Sequence, residues 1–194
     1  MNQAQQVEVR PSALSSIIRM ANPTFVIVAV FLPIGALMYA LNFGSIVALN
    51  YVHIMTGAMW TGIDLFMGFV LGPVLGGMDT GGRAGVFRRL VPKMTFLMPV
   101  LAAVTTTAGF KLAQVMGYSL TSPKIIAAFI ITGILAIQGF GFLLPNEIRV
   151  FRQLLSEKPD VDLISRLGMR TARLGGLQGV LQLGIIFVMA VIRF

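Results

Sequence analysis

Three ionisable residues of this 194-residue chain, His53, Asp64 and Lys111, fall inside apolar runs of membrane-spanning length, and they are where chemistry is to be sought. A central Asp or Lys in a bilayer costs about 2.5–3.5 kcal/mol on the insertion scale, so each needs a reason to be there. An imidazole at that depth ligates a metal or haem, or hydrogen-bonds across a helix interface. An ammonium pairs with an anion or snorkels to the headgroups. Asp64 is too deep and too short to snorkel, so it either carries a proton or is paired in a polar network.

With Trp60 taken as the midplane, a rise of about 1.5 Å per residue puts His53 about 10 Å toward the outer face and Asp64 about 6 Å toward the cytoplasm. Their spacing is close to three full turns, so the two share a helix face. Trp60, Gly57 and Gly68 lie on that face too, where the glycines admit a neighbouring helix or a flat cofactor. The same counting sets Lys111 level with His53, and Gln138 and Gln182 near the level of Asp64. An upper cluster of His53 and Lys111 and a lower one of Asp64, Gln138 and Gln182 are the geometric expectations.

Other chemistries are less well supplied. The chain has no cysteine, which removes disulfides, thiolate zinc sites and iron–sulfur clusters. Twelve methionines suit copper(I), yet Met55 and Met59 lie off the His53 face, so such a site would be completed from other helices. No nucleophile–base pair or carboxylate pair suggests hydrolysis. GGMDTGG lacks the Lys-Ser/Thr ending of a phosphate-binding loop. The net charge of +8 sits in short clusters between apolar runs, where it sets orientation and does not call for nucleic acid.

The elements that position these residues follow from 56% hydrophobic and 11% charged composition, a balance that calls for the bilayer as solvent. Five segments reach or approach the roughly 20 residues needed to span: 23–43, 46–75, 94–116, 125–144 and 174–192. The expected fold is an all-α, polytopic bundle forming a single membrane domain over 1–194. Segment 11–20 forms a surface helix anchored by Arg10 and Arg19, and the first span is a retained helix, not a cleaved signal. The glycines of GGMDTGGRAGVFRRLVPK predict a loop. The fourth helix runs on through LPNEIRVFRQLL, and SEKPDVD supplies a break with Asp160 or Asp162 capping the next helix. Placing the amino terminus in the cytoplasm puts nearly every Lys and Arg on that side, leaving Lys124 and Arg193 outside with the carboxyl terminus. The motifs Gly68-x-x-x-Gly72 and Gly175-x-x-x-Gly179 support close helix crossings.

The stretch YVHIMTGAMWTGIDLFMGFVLGPVL resembles a helix of the copper-resistance D (CopD)-like membrane proteins, with His53, Trp60, Gly62 and Pro73 at the matching positions and Thr61 interrupting the usual Trp-Gly pair. The segment RLGMRTARLGGLQGVLQLGIIFVMAV is similar to the last helix of that group. Together they cover under a third of the chain. The resemblance, extended to HemJ-type protoporphyrinogen oxidases, implies a plasma-membrane bundle that binds copper or haem b. A single histidine excludes bis-histidine ligation within one protomer, so haem would use His53 with Met, Lys111, water or a second protomer.

The leading expectation is a redox-associated membrane protein, an oxidoreductase if an enzyme. In it His53 is the metal ligand, Trp60 and Lys111 help to bind the cofactor, and Asp64 relays protons. One alternative is a small transporter or channel coupled through Asp64. Another is a cofactor-free accessory subunit of a respiratory complex, with membrane subunits or a second copy as partner.

Overall fold

A computed structural model describes residues 12–193. A short helix, α1 (Ala13–Ala21), precedes five helices long and apolar enough to cross a membrane: α2 (Pro23–Asn42), α3 (Ile46–Gly76), α4 (Thr80–Val115), α5 (Pro123–Leu154) and α6 (Val161–Arg193). The described residues contain no strand. Large apolar side chains such as Phe31, Ile137, Phe140 and Phe187 are about two-thirds exposed or more, while Asp64, Gln178 and Gln182 are buried. Polar inside and apolar outside is the arrangement for a protein solvated by lipid.

Short connections make successive long helices antiparallel, giving the bundle two ends. The α1–α2, α3–α4 and α5–α6 connections share the arginine-rich end, called the basic end below; the α2–α3 and α4–α5 connections share the distal end. Three apolar layers stack between them. At the basic end Leu75, Phe87, Val150 and Ile164 form a cluster against which Ile17 of α1 packs. At the distal end Leu37, Leu49, Val104 and Leu112 meet. Trp60, Leu101 and Leu135 form a small middle layer.

Capping explains most boundaries. Ser12, Asn22, Ser45 and Ser122 each accept a hydrogen bond from a backbone N–H in the first turn of the following helix. Asp160 is the acid that starts α6, accepting from the Leu163 N–H at 2.9 Å. The glycine-rich stretch after α3 is not the loop its composition suggests, for α4 begins at Thr80 and carries Gly81, Gly82 and Gly85 within it. Asp79 caps it by accepting from the Gly82 N–H at 3.1 Å. Burial of Ala84, Phe87 and Val91 outweighs the roughly 1 kcal/mol that each helical glycine costs. α6 likewise begins well before its apolar run. Arg10, expected to anchor the surface helix, lies outside the described residues.

Two long helices are interrupted by π turns, Phe66–Leu71 in α3 and Gly139–Leu143 in α5. Each is followed two residues later by a proline, Pro73 and Pro145. Proline lacks the N–H for the i−4 carbonyl and crowds it, and a widened turn absorbs the misfit without ending the helix.

Candidate functional site

Asp64 sits on α3 just before the first π turn and is 3% exposed. Its Oδ2 accepts from Gln182 Nε2 at 3.1 Å and from Gln178 Nε2 at 3.2 Å, both from α6. The two glutamines are one helical turn apart, so a single face of α6 presents both amides to one carboxyl. Glycines bring the helices close enough: a Cβ on Gly176 would stand 2.7 Å from the Gly68 Cα, and one on Gly179 2.9 Å from the Leu65 N. The lower cluster expected from sequence therefore forms with Gln182, and Gln178 is an addition. Gln138 turns elsewhere, donating to the Leu174 carbonyl at 2.7 Å.

Beside this network lies a cavity of about 380 Å³. Trp60, Asp64 and Gln178 contribute to its wall from α3 and α6, Met94, Met98 and Thr106 from α4, and Leu135, Phe140 and Glu147 from α5. The cavity lies where the backbone of the distal half of α5 packs closely on α6 and stands farther from that of α4, its neighbour in sequence. Phe110 and Phe129, with ring centroids 6.1 Å apart, bridge α4 and α5 toward the distal end. Toward the basic end Thr95 Oγ1 donates to Glu147 Oε2 at 2.6 Å. Ala103, Thr106, Ala136 and Phe140 line the cavity and are themselves exposed, so its mouth faces the apolar flank of the bundle.

Glu147 is the residue that sequence reading passed over. The polar run LPNEIRVFRQLL predicts a helix extension beyond the membrane there, yet Glu147 is 8% exposed and shares the cavity with Asp64. A signal was present: Asn146, Glu147 and Val150 continue at helical spacing the buried face that carries Leu135 and Gln138. The cavity is rich in hydrogen-bond acceptors. Two carboxyls line it, and the Gln178 amide oxygen is buried with no hydrogen-bond partner among the described residues.

His53 lies outside that cavity wall, toward the distal end. Its Nδ1 hydrogen-bonds to the Thr105 carbonyl at 2.9 Å, and since a carbonyl only accepts, Nδ1 carries the proton. The Nε2 lone pair then faces the Met189 thioether of α6 at 3.5 Å. Gly109 makes room for the ring, because a Cβ there would stand 2.7 Å from His53 Cε1. Next to it Thr105 Oγ1 donates to Thr56 Oγ1 at 2.8 Å, and Thr56 Oγ1 in turn donates to the Val52 carbonyl at 2.7 Å.

Lys111 does not complete an upper cluster with His53. It is exposed, and two residues past Gly109 it points away from the helix face that meets the imidazole. Among the described residues no three His, Cys, Asp or Glu side chains converge, so a metal held by His53 would rely on thioether or backbone ligands. Compared with protein-family models, curated proteins and solved structures, the chain matches none.

Proposed function

We propose that the chain is a multi-pass carrier of the plasma membrane, its basic end in the cytoplasm, that moves a small lipid-soluble molecule bearing a hydrogen-bond donor or positive charge. Asp64 is its ionisable coupling group. The observation that carries this reading is the Asp64 carboxyl, held by two glutamines on the wall of a cavity that Glu147 shares. Apolar walls with a few convergent polar groups characterise small-molecule sites. Here those groups include two carboxyls, which favour a donor or cation. Ionisable residues inside membrane bundles commonly mark substrate or proton pathways. The excess of arginine at one end supports the orientation.

The test is flux in proteoliposomes carrying an imposed pH gradient, read with a fluorescent lipophilic amine. Asp64→Asn should reduce protein-dependent flux at least tenfold, and His53→Ala should leave it within twofold. Flux that survives Asp64→Asn in a correctly folded protein refutes the reading.

A second reading, in line with the CopD resemblance, makes the protein redox-associated through a metal at His53. It rests on His53 Nε2 and Met189 Sδ, which face each other at 3.5 Å, so that in the neutral Nδ1–H tautomer both present lone pairs. That separation suits two ligands of one tetrahedral ion, with bonds of about 2.0 Å to nitrogen and 2.3 Å to sulfur, and imidazole with thioether suits copper(I). Haem b fits less well, because the α4 backbone at Gly109 lies against the ring where a macrocycle would need room. Competition with a copper(I) chelator decides it: Met189→Leu and His53→Ala should each weaken binding by at least tenfold. Equal affinity in all three proteins excludes the site.

A further inference from the structure

At the basic end a second cavity, about 600 Å³, opens between the start of α4 and the stretch of α6 that precedes its apolar run. Four arginines line it, Arg83 from α4 and Arg166, Arg170 and Arg173 from α6, against one carboxylate, Asp162. The α6 arginines recur at intervals of four and three residues and so form one stripe, about 10 Å long at 1.5 Å per residue. Arg83 reaches in from across the cavity. Its Nη2 donates to the Met78 carbonyl at 2.8 Å, which fixes the guanidinium, while Nε is buried with no acceptor among the described residues.

Like charges gathered in one place repel. An anion with several oxygens among the four guanidinium groups relieves that repulsion. Guanidinium groups match phosphate oxygens in pairs, and Thr80 and Ser165 also line the wall. Met169 and Leu174 add apolar surface where the apolar run of α6 begins, so the cavity sits at the level expected for headgroup phosphates.

We propose that this arginine-lined cavity is a binding site for a phosphate-bearing anion, supplied either as the headgroup of an anionic phospholipid or as a soluble phosphate. The site is independent of the carrier reading, since it shares no lining residue with the cavity beside Asp64.

The full chain is reconstituted in nanodiscs and its thermal midpoint measured in two arms. One compares pure phosphatidylcholine with phosphatidylcholine containing one-fifth phosphatidylglycerol; the other titrates inorganic pyrophosphate into the phosphatidylcholine discs. A rise of several degrees in the first arm identifies the lipid source, and a saturable rise in the second the soluble one. In either case Arg166→Gln/Arg170→Gln should remove most of the rise, while Arg88→Gln/Arg89→Gln, which removes equal charge from exposed positions of α4 outside the cavity, should keep it. No rise in either arm, or equal loss in both double variants, overturns the proposal. The altered arginines in both variants are exposed, so folding is preserved and each is checked by gel filtration.

Discussion

Gly68→Ala probes the contact on which the Asp64 network depends. On the opposing face, the Cβ of an alanine at Gly68 would stand 2.8 Å from the Gly176 N and closer still to its Cα, whereas ordinary contact begins at 3.4 Å. Both partners are backbone, so no flexible side chain can yield, and α3 and α6 must part by more than half an ångström. That displacement stretches the Gln182 and Gln178 bonds to Asp64, now 3.1 and 3.2 Å, past the usual range of about 3.2 Å. Overpacking costs about 1–3 kcal/mol. Weakening, without breaking, two hydrogen bonds worth about 0.5–1.5 kcal/mol each adds about 1 kcal/mol, for an expected loss of about 2–4 kcal/mol. At about 2–4 °C per kcal/mol for a chain of this size, the midpoint should fall by about 4–16 °C. The assay is thermal unfolding in detergent, followed by the loss of the monodisperse gel-filtration peak. Gly35→Ala is the control, since a Cβ there meets nothing within 4 Å and helix propensity favours alanine. If Gly68→Ala melts within a degree of Gly35→Ala, the close α3–α6 crossing is refuted.

Three further substitutions test other contacts. Gly168→Ala drives a methyl into the Phe87 ring, which is 1% exposed and cannot swing away, so a loss of about 1–3 kcal/mol should appear as a lower melting midpoint. Gly109→Ala should displace the His53 imidazole from the Thr105 carbonyl and speed its modification by diethyl pyrocarbonate several-fold; an unchanged rate would mean the ring is not held there. Thr95→Val removes the hydroxyl donor to Glu147 and should destabilise by about 1–3 kcal/mol, with Thr95→Ser restoring the wild-type midpoint.

The five spans were legible because twenty apolar residues in series have few other uses. The alignment of Trp60 with Asp64 was legible too, since helical period alone fixes it, and both line the same cavity. Which partners meet that face was not. Gln138 and Gln182 both look inward at similar depth, but helix rotation decides that one reaches Asp64 and the other the Leu174 carbonyl. Lys111 shows the same limit, for depth is read from sequence position while azimuth depends on packing. Glu147 was missed because a polar PNE segment reads as solvent-exposed, although the helix carrying it returns to the core at Val150 and Phe151. The start of α4 runs against its glycine content because the Asp79 cap and the Phe87 anchor outweigh it, and burial of Phe87 depends on a tertiary partner that composition does not show.

The π turns put a weak point in each of the two helices that carry the cavity's carboxyls. Just beyond each turn a proline withholds a backbone donor, so the segments on either side are joined by fewer hydrogen bonds than their neighbours. Asp64 lies ahead of its turn, clamped to α6, whereas Glu147 lies behind the turn of α5 on the short segment Leu144–Leu154. Both carboxyls are clamped, Asp64 by α6 and Glu147 by the Thr95 hydroxyl of α4 on a segment that packs through Val150 and Phe151 into the basic-end layer, so the π turns are where the two helices can bend between these fixed points. Amide exchange should register this as faster turnover at the residues flanking Pro73 and Pro145 than in the helix centres, and the joints of the molecule would then be located by two prolines.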